Sequence, residues 1–183
     1  NSENQEVRSL AARLTGGLHI GAQRPTDFEN TQGWSAYLHN LRGEPDIENG
    51  RRVFVSPRLG ACSSCHRADG LGSPAGPDLT HIRQATDANY ILTSLLQPNL
   101  NVAPQWETFV ITTTDGQTRI GFQLAELGGT HTYADLTGQT FEIKIDDIVK
   151  RDILPTSIMP QGLVTKLTDE ELRDLVAFLA SKL

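Results

Sequence analysis

Cys62-Ser63-Ser64-Cys65-His66 sets two thiols either side of a two-residue spacer, with an imidazole directly after the second. Thiols at this spacing can add to the two vinyl groups of a haem as thioethers, and the histidine that follows is carried beneath the iron as its proximal ligand. Other chemistry is open to the same residues. Structural zinc wants four Cys or His ligands in paired spacings; the chain has no third cysteine, and His66 with His81 lacks the finger spacing. A thioredoxin-like pair follows a strand and opens a helix, whereas residues 46–55 read as a helix and a Gly/Pro-rich loop comes after the motif. A disulfide between Cys62 and Cys65 is the plainest alternative.

The one methionine, Met159, lies in Ser157-Ile158-Met159-Pro160-Gln161-Gly162. A solitary methionine commonly fills a gap in a core. Here, however, Pro160 pushes Met159 toward extended backbone, which suits a side chain projected from a loop. A neutral, soft thioether in the second axial position favours ferrous iron and raises the reduction potential.

These residues need elements to hold them. Residues 46–55 read as the first of the supporting helices, residues 62–80 as the loop around the cysteine motif, and residues 87–96 as a helix stopped by Pro98. Thr168 and Glu171 form a capping box ahead of a last helix with the apolar stripe Leu172, Leu175, Val176 and Leu179. Gly70, Gly72 and Gly76 do not have phosphate-loop spacing, and are expected to let backbone pass close to a porphyrin. Between the helices the pattern changes to period two. Strands are expected over residues 108–114, 119–124, 130–136, 140–145 and 146–153, with turns at Asp115-Gly116, Gly128-Gly129 and Thr137-Gly138. Near the N-terminus, residues 7–14 have helical spacing stopped by Gly16-Gly17, and Trp34, Tyr37, Leu38 and Leu41 make a second apolar stripe.

Taken in order, Gly50-Arg51-Arg52-Val53-Phe54, the cysteine motif, Gly76-Pro77-Asp78-Leu79, Met159-Pro160 and Leu167-Thr168-Asp169-Glu170-Glu171-Leu172 resemble a class I cytochrome c. Leu95-Leu96-Gln97-Pro98, Thr113-Thr114-Asp115-Gly116 and Ser157-Ile158-Met159-Pro160 bring the closer resemblance to haem-binding domains of large planctomycete and verrucomicrobial proteins. The resemblance spans residues 43–183. It implies a mainly α cytochrome c fold with an inserted small antiparallel β-sheet, α+β overall. Residues 1–42 would be an N-terminal helical extension, residues 43–183 the cytochrome c domain, and about 106–153 the β-rich insertion. It implies one haem c on Cys62 and Cys65, with His66 and Met159 as iron ligands, and with the Pro77 carbonyl accepting a hydrogen bond from the ligand imidazole. Gly50 would be the glycine at a close helix crossing, with Phe178 an aromatic of that contact. Haem attachment to such motifs takes place outside the cytoplasmic membrane in bacteria, so the resemblance implies a periplasmic protein. The implied partner is a redox protein or an attached dehydrogenase domain.

Haem propionates also need donors, and Trp106, Arg83 and Tyr90 can supply them, although Trp106 suits a core equally well. If Met159 were labile, the site would suit a gas sensor or haem enzyme, with His131, Tyr133 and Tyr90 as distal candidates. His131 is expected in a turn and exposed, and His19, His39 and His81 at the surface or in capping duties. With 183 residues, 38% of them hydrophobic and 21% charged, the composition is that of an ordinary globular chain. No apolar run reaches membrane-span length. The start at Asn1 rather than Met fits a processed chain or an excised fragment. A net charge of −6 and the absence of any long Lys/Arg cluster argue against nucleic acid as a partner. An acidic surface could steer a basic partner, or simply be a solvated face.

Overall fold

The computed structural model describes residues 23–181; the helix expected over residues 7–14, and His19, lie outside them. Five helices and a five-stranded antiparallel sheet make up the described residues, so the architecture is mixed α and β. The helices are α1 (Thr31–His39), α2 (Ile47–Val55), α3 (Ile82–Ala85), α4 (Ala88–Leu96) and α5 (Asp169–Ala180). Each longer helix starts on a side chain that accepts from an otherwise orphaned N–H: Asn30 for α1, Asp46 for α2, Asp87 for α4 and Thr168 for α5. The Thr168–Glu171 box is complete, each partner capping the other's backbone.

The main core lies among these helices. Trp34, Tyr37 and Leu38 of α1 join Val53 and Phe54 of α2, Ile91, Leu92, Leu95 and Leu96 of α4, and Leu172, Leu175, Phe178 and Leu179 of α5 in one buried cluster. Trp34 and Tyr37 are therefore core residues, as their spacing predicts. Arg24 ties the segment before α1 down: it stacks over Trp34 at 5.4 Å, pairs with Asp169 at 3.0 Å and reaches the Val164 and Leu167 carbonyls. The Tyr37 hydroxyl donates to Asp169 at 2.5 Å, and burial together with that carboxylate pushes its pKa up to about 12.

At the α2–α5 crossing the two helices meet backbone to backbone. A Cβ on Gly50 would run into the Asp174 carbonyl oxygen and lie 2.8 Å from Phe178 Cβ. Phe54 and Phe178 meet with ring centroids 5.7 Å apart. The expected crossing glycine and its aromatic are thus in place. Asp174, which no sequence pattern singled out, completes the joint. It is buried, and its carboxylate accepts from the Asp46 amide, the Asn49 side chain and Arg173. One carboxylate thereby fixes the start of α2 to the middle of α5 and has enough donors to offset its burial.

The loop around the cysteine motif carries a two-stranded ribbon, β1 (Arg67–Ala68) and β2 (Leu71–Gly72). Neither strand nor the short α3 is anticipated by sequence pattern, because two to four residues are too few to show a period. The large sheet has the order β6-β5-β4-β3-β7, with β3 (Thr108–Thr113), β4 (Thr118–Leu127), β5 (Thr130–Ala134), β6 (Thr140–Lys144) and β7 (Ile148–Leu154). All the expected strands and turns are there. Their ends differ by a few residues, and a 3-10 turn at Ile145–Asp147 takes the start of the last expected strand.

The two faces of the sheet have different surroundings. On one, Phe122 and Ala134 pack with Ala75 of the cysteine loop, Trp106 and Ile158. On the other, Ile111, Tyr133 and Ile143 form a separate core with Phe109 and Phe141. His131 belongs to this second region. It is a buried residue of β5, not the exposed turn histidine the sequence suggested. Its Nδ1 lies 3.0 Å from the Tyr133 hydroxyl, and its Nε2 is 3.3 Å from Glu126 without forming a hydrogen bond. Strand alternation turned it inward, a choice that tertiary packing makes and a lone His in a polar stretch does not advertise.

Candidate haem-attachment site

The motif begins one residue after a strained position. Ala61 adopts a left-handed conformation (φ 50°), which turns the chain into the 3-10 turn Cys62–Ser64. The Cys65 and His66 amides both donate to the Cys62 carbonyl, at 3.1 and 2.8 Å, so the two thiols and the imidazole sit on one tight coil. Both cysteines are free, and the disulfide alternative is not what the structure shows. Among the described residues no cluster of His, Cys, Asp or Glu could hold a metal ion by itself, and His81 is exposed beyond the motif.

His66 is held by one bond that defines its chemistry. Its Nδ1 donates to the Pro77 carbonyl oxygen at 2.9 Å, the contact expected of Pro77. An imidazole fixed through Nδ1–H presents Nε2 as its free lone pair. Burial pushes its pKa below the usual range, with the Pro77 bond opposing, which keeps the ring neutral and able to ligate. Two glycines of the loop, Gly72 and Gly76, are explained by this coil. A Cβ on Gly72 would collide with the His66 carbonyl oxygen, and one on Gly76 would sit 3.1 Å from the Cys65 carbonyl oxygen and 3.3 Å from the imidazole. Their close neighbour is the motif itself.

Cys62 packs against the main helical core together with Leu79, Ile82 and Met159. Met159 therefore shares an apolar cluster with the first cysteine although the two are far apart in sequence. Its loop is secured by hydrogen bonds: the Met159 amide donates to Ser157 Oγ at 3.1 Å, and the Ser157 amide donates to Asn99 Oδ1 at 2.7 Å. Asn99 is a site-supporting residue that sequence reasoning missed. Its position just after Pro98 marks only a turn. Trp106, partly buried, packs edge-on to Phe122 (5.5 Å) against the cluster of Phe122, Ala75 and Ala134, which Ile158 of the Met159 loop also joins. Arg83 and Tyr90 are not drawn into these contacts. Arg83 lies in α3 without a hydrogen bond or ion pair among the described residues, and Tyr90 is exposed in the first turn of α4.

The residues fit a covalently bound haem: two unpaired thiols on one coil, a neutral imidazole oriented by a carbonyl, and a flanking apolar cluster that includes a thioether. A family model for cytochrome c, a family built around covalently attached haem and electron transfer, matches residues 47–113. A search of curated proteins gives no match. The matched segment contains Cys62, Cys65, His66 and Pro77 and stops short of Met159.

Thiol burial has a consequence for the haem-free protein. Burial, with a smaller contribution from the neighbouring Cys65, pushes the Cys62 thiol up to about 11. A raised thiol pKa adds stability that is complete below the unfolded value near 9 and is lost as pH rises toward 11. Haem-free protein should therefore lose about 2–3 kcal/mol of unfolding free energy across that window. Urea unfolding measured from pH 8 to 11 reads it, and Cys62→Ala should reduce the slope, leaving the part that Cys65 and Tyr37 contribute. An unchanged slope in that variant would assign the effect elsewhere.

Proposed function

We propose that this protein is an electron carrier holding one haem c through Cys62 and Cys65, with His66 and Met159 as the two iron ligands. The observation that carries the reading is the His66 Nδ1 bond to the Pro77 carbonyl at 2.9 Å beside two free cysteines. That arrangement orients an imidazole for iron and leaves both sulfurs available for thioether bonds. Bound haem supplies a one-electron couple. The chain supplies the thiols that anchor it, the neutral imidazole, a thioether on a loop braced by Asn99 and Ser157, and apolar walls that limit water.

With both axial positions filled by side chains, no site remains for substrate, and the chemistry is electron passage rather than catalysis. The partner is a linked or docked dehydrogenase that delivers one electron at a time. The order of motifs supports kinship with the planctomycete and verrucomicrobial haem-binding domains, and a periplasmic setting agrees with the chemistry of haem attachment. No helix among the described residues is long and apolar enough to cross a membrane.

The deciding experiment is an absorption spectrum of the haem-loaded protein, oxidised and reduced, with and without carbon monoxide. Sharp low-spin reduced bands, a weak far-red sulfur-to-iron band when oxidised, and indifference to carbon monoxide are expected. A high-spin spectrum or ready carbon monoxide uptake would instead favour a sensor or haem enzyme.

A further inference from the structure

Two turns of the large sheet are built alike. Between β3 and β4, Asp115 Oδ1 accepts from Thr113 Oγ1 at 2.5 Å and the Gln117 amide at 3.1 Å. Between β5 and β6, Asp135 Oδ1 accepts from the Thr137 amide at 2.8 Å, Thr137 Oγ1 at 2.6 Å and the Gln139 amide at 3.1 Å. Each turn has a glycine in the left-handed region, Gly116 (φ 80°) and Gly138 (φ 79°). Their surroundings differ. A Cβ on Gly116 would meet nothing within 4 Å. A Cβ on Gly138 would collide with the Ser64 carbonyl oxygen and lie 3.4 Å from Cys65 Sγ. Only the second turn is seated on the cysteine motif, and it brings a carboxylate with it.

Asp135 is half-buried and anchored by three donors. Burial opposes its ionisation, but those hydrogen bonds prevail and hold its carboxyl below the usual range. The carboxylate thus sits in the same tight turn whose Gly138 lies against Ser64 and Cys65. Ferric haem carries one more positive charge than ferrous haem, so a nearby fixed anion stabilises the ferric state.

We propose that the β5–β6 turn covers the Cys65 side of the attachment motif, and that Asp135 is a fixed negative charge set there to lower the reduction potential of the bound haem. This rests on the haem-c reading above. The inserted sheet then does two things for the site. It shields the motif from water through Gly138, and it biases the couple toward the oxidised form through Asp135.

The test uses haem-loaded protein, titrated against a reduced mediator dye that passes one electron to the ferric haem and is itself oxidised. Asp135→Asn keeps a carbonyl oxygen for the turn's amide donors and removes only the charge. Its reduction equilibrium constant should rise three- to tenfold, while Asp115→Asn, the same removal of charge in the turn whose glycine meets nothing within 4 Å, should leave it unchanged. A merely structural role for Asp135 would alter thermal stability and not this constant. A second arm uses haem-free protein, with alkylation of each cysteine by iodoacetamide followed by peptide mass. Gly138→Ala must lift the turn, so Cys65 should be labelled at least fivefold faster with Cys62 unaffected. Equal equilibrium constants for the two Asn variants, or equal labelling rates, overturn the proposal alone. A wild-type protein that takes up no covalent haem overturns the underlying reading with it.

Discussion

Replacing Met159 with Ala in the haem-loaded protein should convert a low-spin spectrum to a high-spin one, open the iron to carbon monoxide and lower the reduction potential by on the order of 0.1–0.3 V. That is well within the ~0.8 V span over which axial ligands set haem potentials. The physical reason is ligand character. A neutral, polarisable sulfur favours ferrous iron, and the water or hydroxide that would replace it is a harder ligand favouring ferric iron. The loop should survive the change, because its backbone is held independently of the thioether by Asn99, Ser157 and their amide donors. Truncation should therefore act chiefly on the iron, the fold losing only the packing of one partly buried side chain. Redox titration and magnetic circular dichroism check both parts. A variant that stays low-spin and keeps its potential would show that another side chain holds the sixth position.

The largest stability effect is expected at Gly50. Its missing side chain lets α2 lie against the backbone of α5 at Asp174 and against Phe178 Cβ. Alanine cannot be accommodated by rotating a neighbour, since the first atom it meets is a backbone carbonyl oxygen. The helices must part, loosening the Phe54–Phe178 contact and the hydrogen bonds that Asp174 receives from Asp46 and Asn49. Gly50→Ala should cost about 3 kcal/mol or more, at the upper end for overpacking. The melting temperature should fall by roughly 6–12 °C. Gly116→Ala is the comparison: its Cβ touches nothing, and backbone strain alone should cost about 1 kcal/mol. Thermal unfolding followed by circular dichroism compares the two. Similar losses would mean that the crossing is looser than the contact implies.

Local chemistry and periodicity made much of this molecule legible in advance. A two-residue spacer between thiols, with a histidine adjoining, is a constraint of covalent reach, so Cys62, Cys65 and His66 could be assigned a chemistry before any fold was known. The helices showed their period and their caps, and the sheet its alternation and its Asp-Gly and Gly-Gly turns. Pro77 and Gly50 were reached through resemblance to a family and then found at the bond and the crossing it implies. Donor chemistry by itself carries no position: Trp106 packs partly buried against the Phe122 cluster, Arg83 lies in α3, and Tyr90 is exposed on α4.

What the sequence could determine by itself was element type and attachment chemistry, because both are fixed within a few neighbouring residues. Only the tertiary structure decided which distant groups meet. It put Asp174 under the start of α2, buried His131 against Tyr133, braced the Met159 loop with Asn99, and seated one of two similar turns on Cys65. Two turns built from Asp, Thr, Gly and Gln, with Asp and Thr exchanged in order, give no sign along the chain of which one meets the cysteine motif. They differ because the packing of Phe122 and Ala134 against Ala75 and Ile158 brings one face of the sheet to the cysteine loop. Such pairings depend on how whole faces bury apolar area together, and no local pattern carries that information.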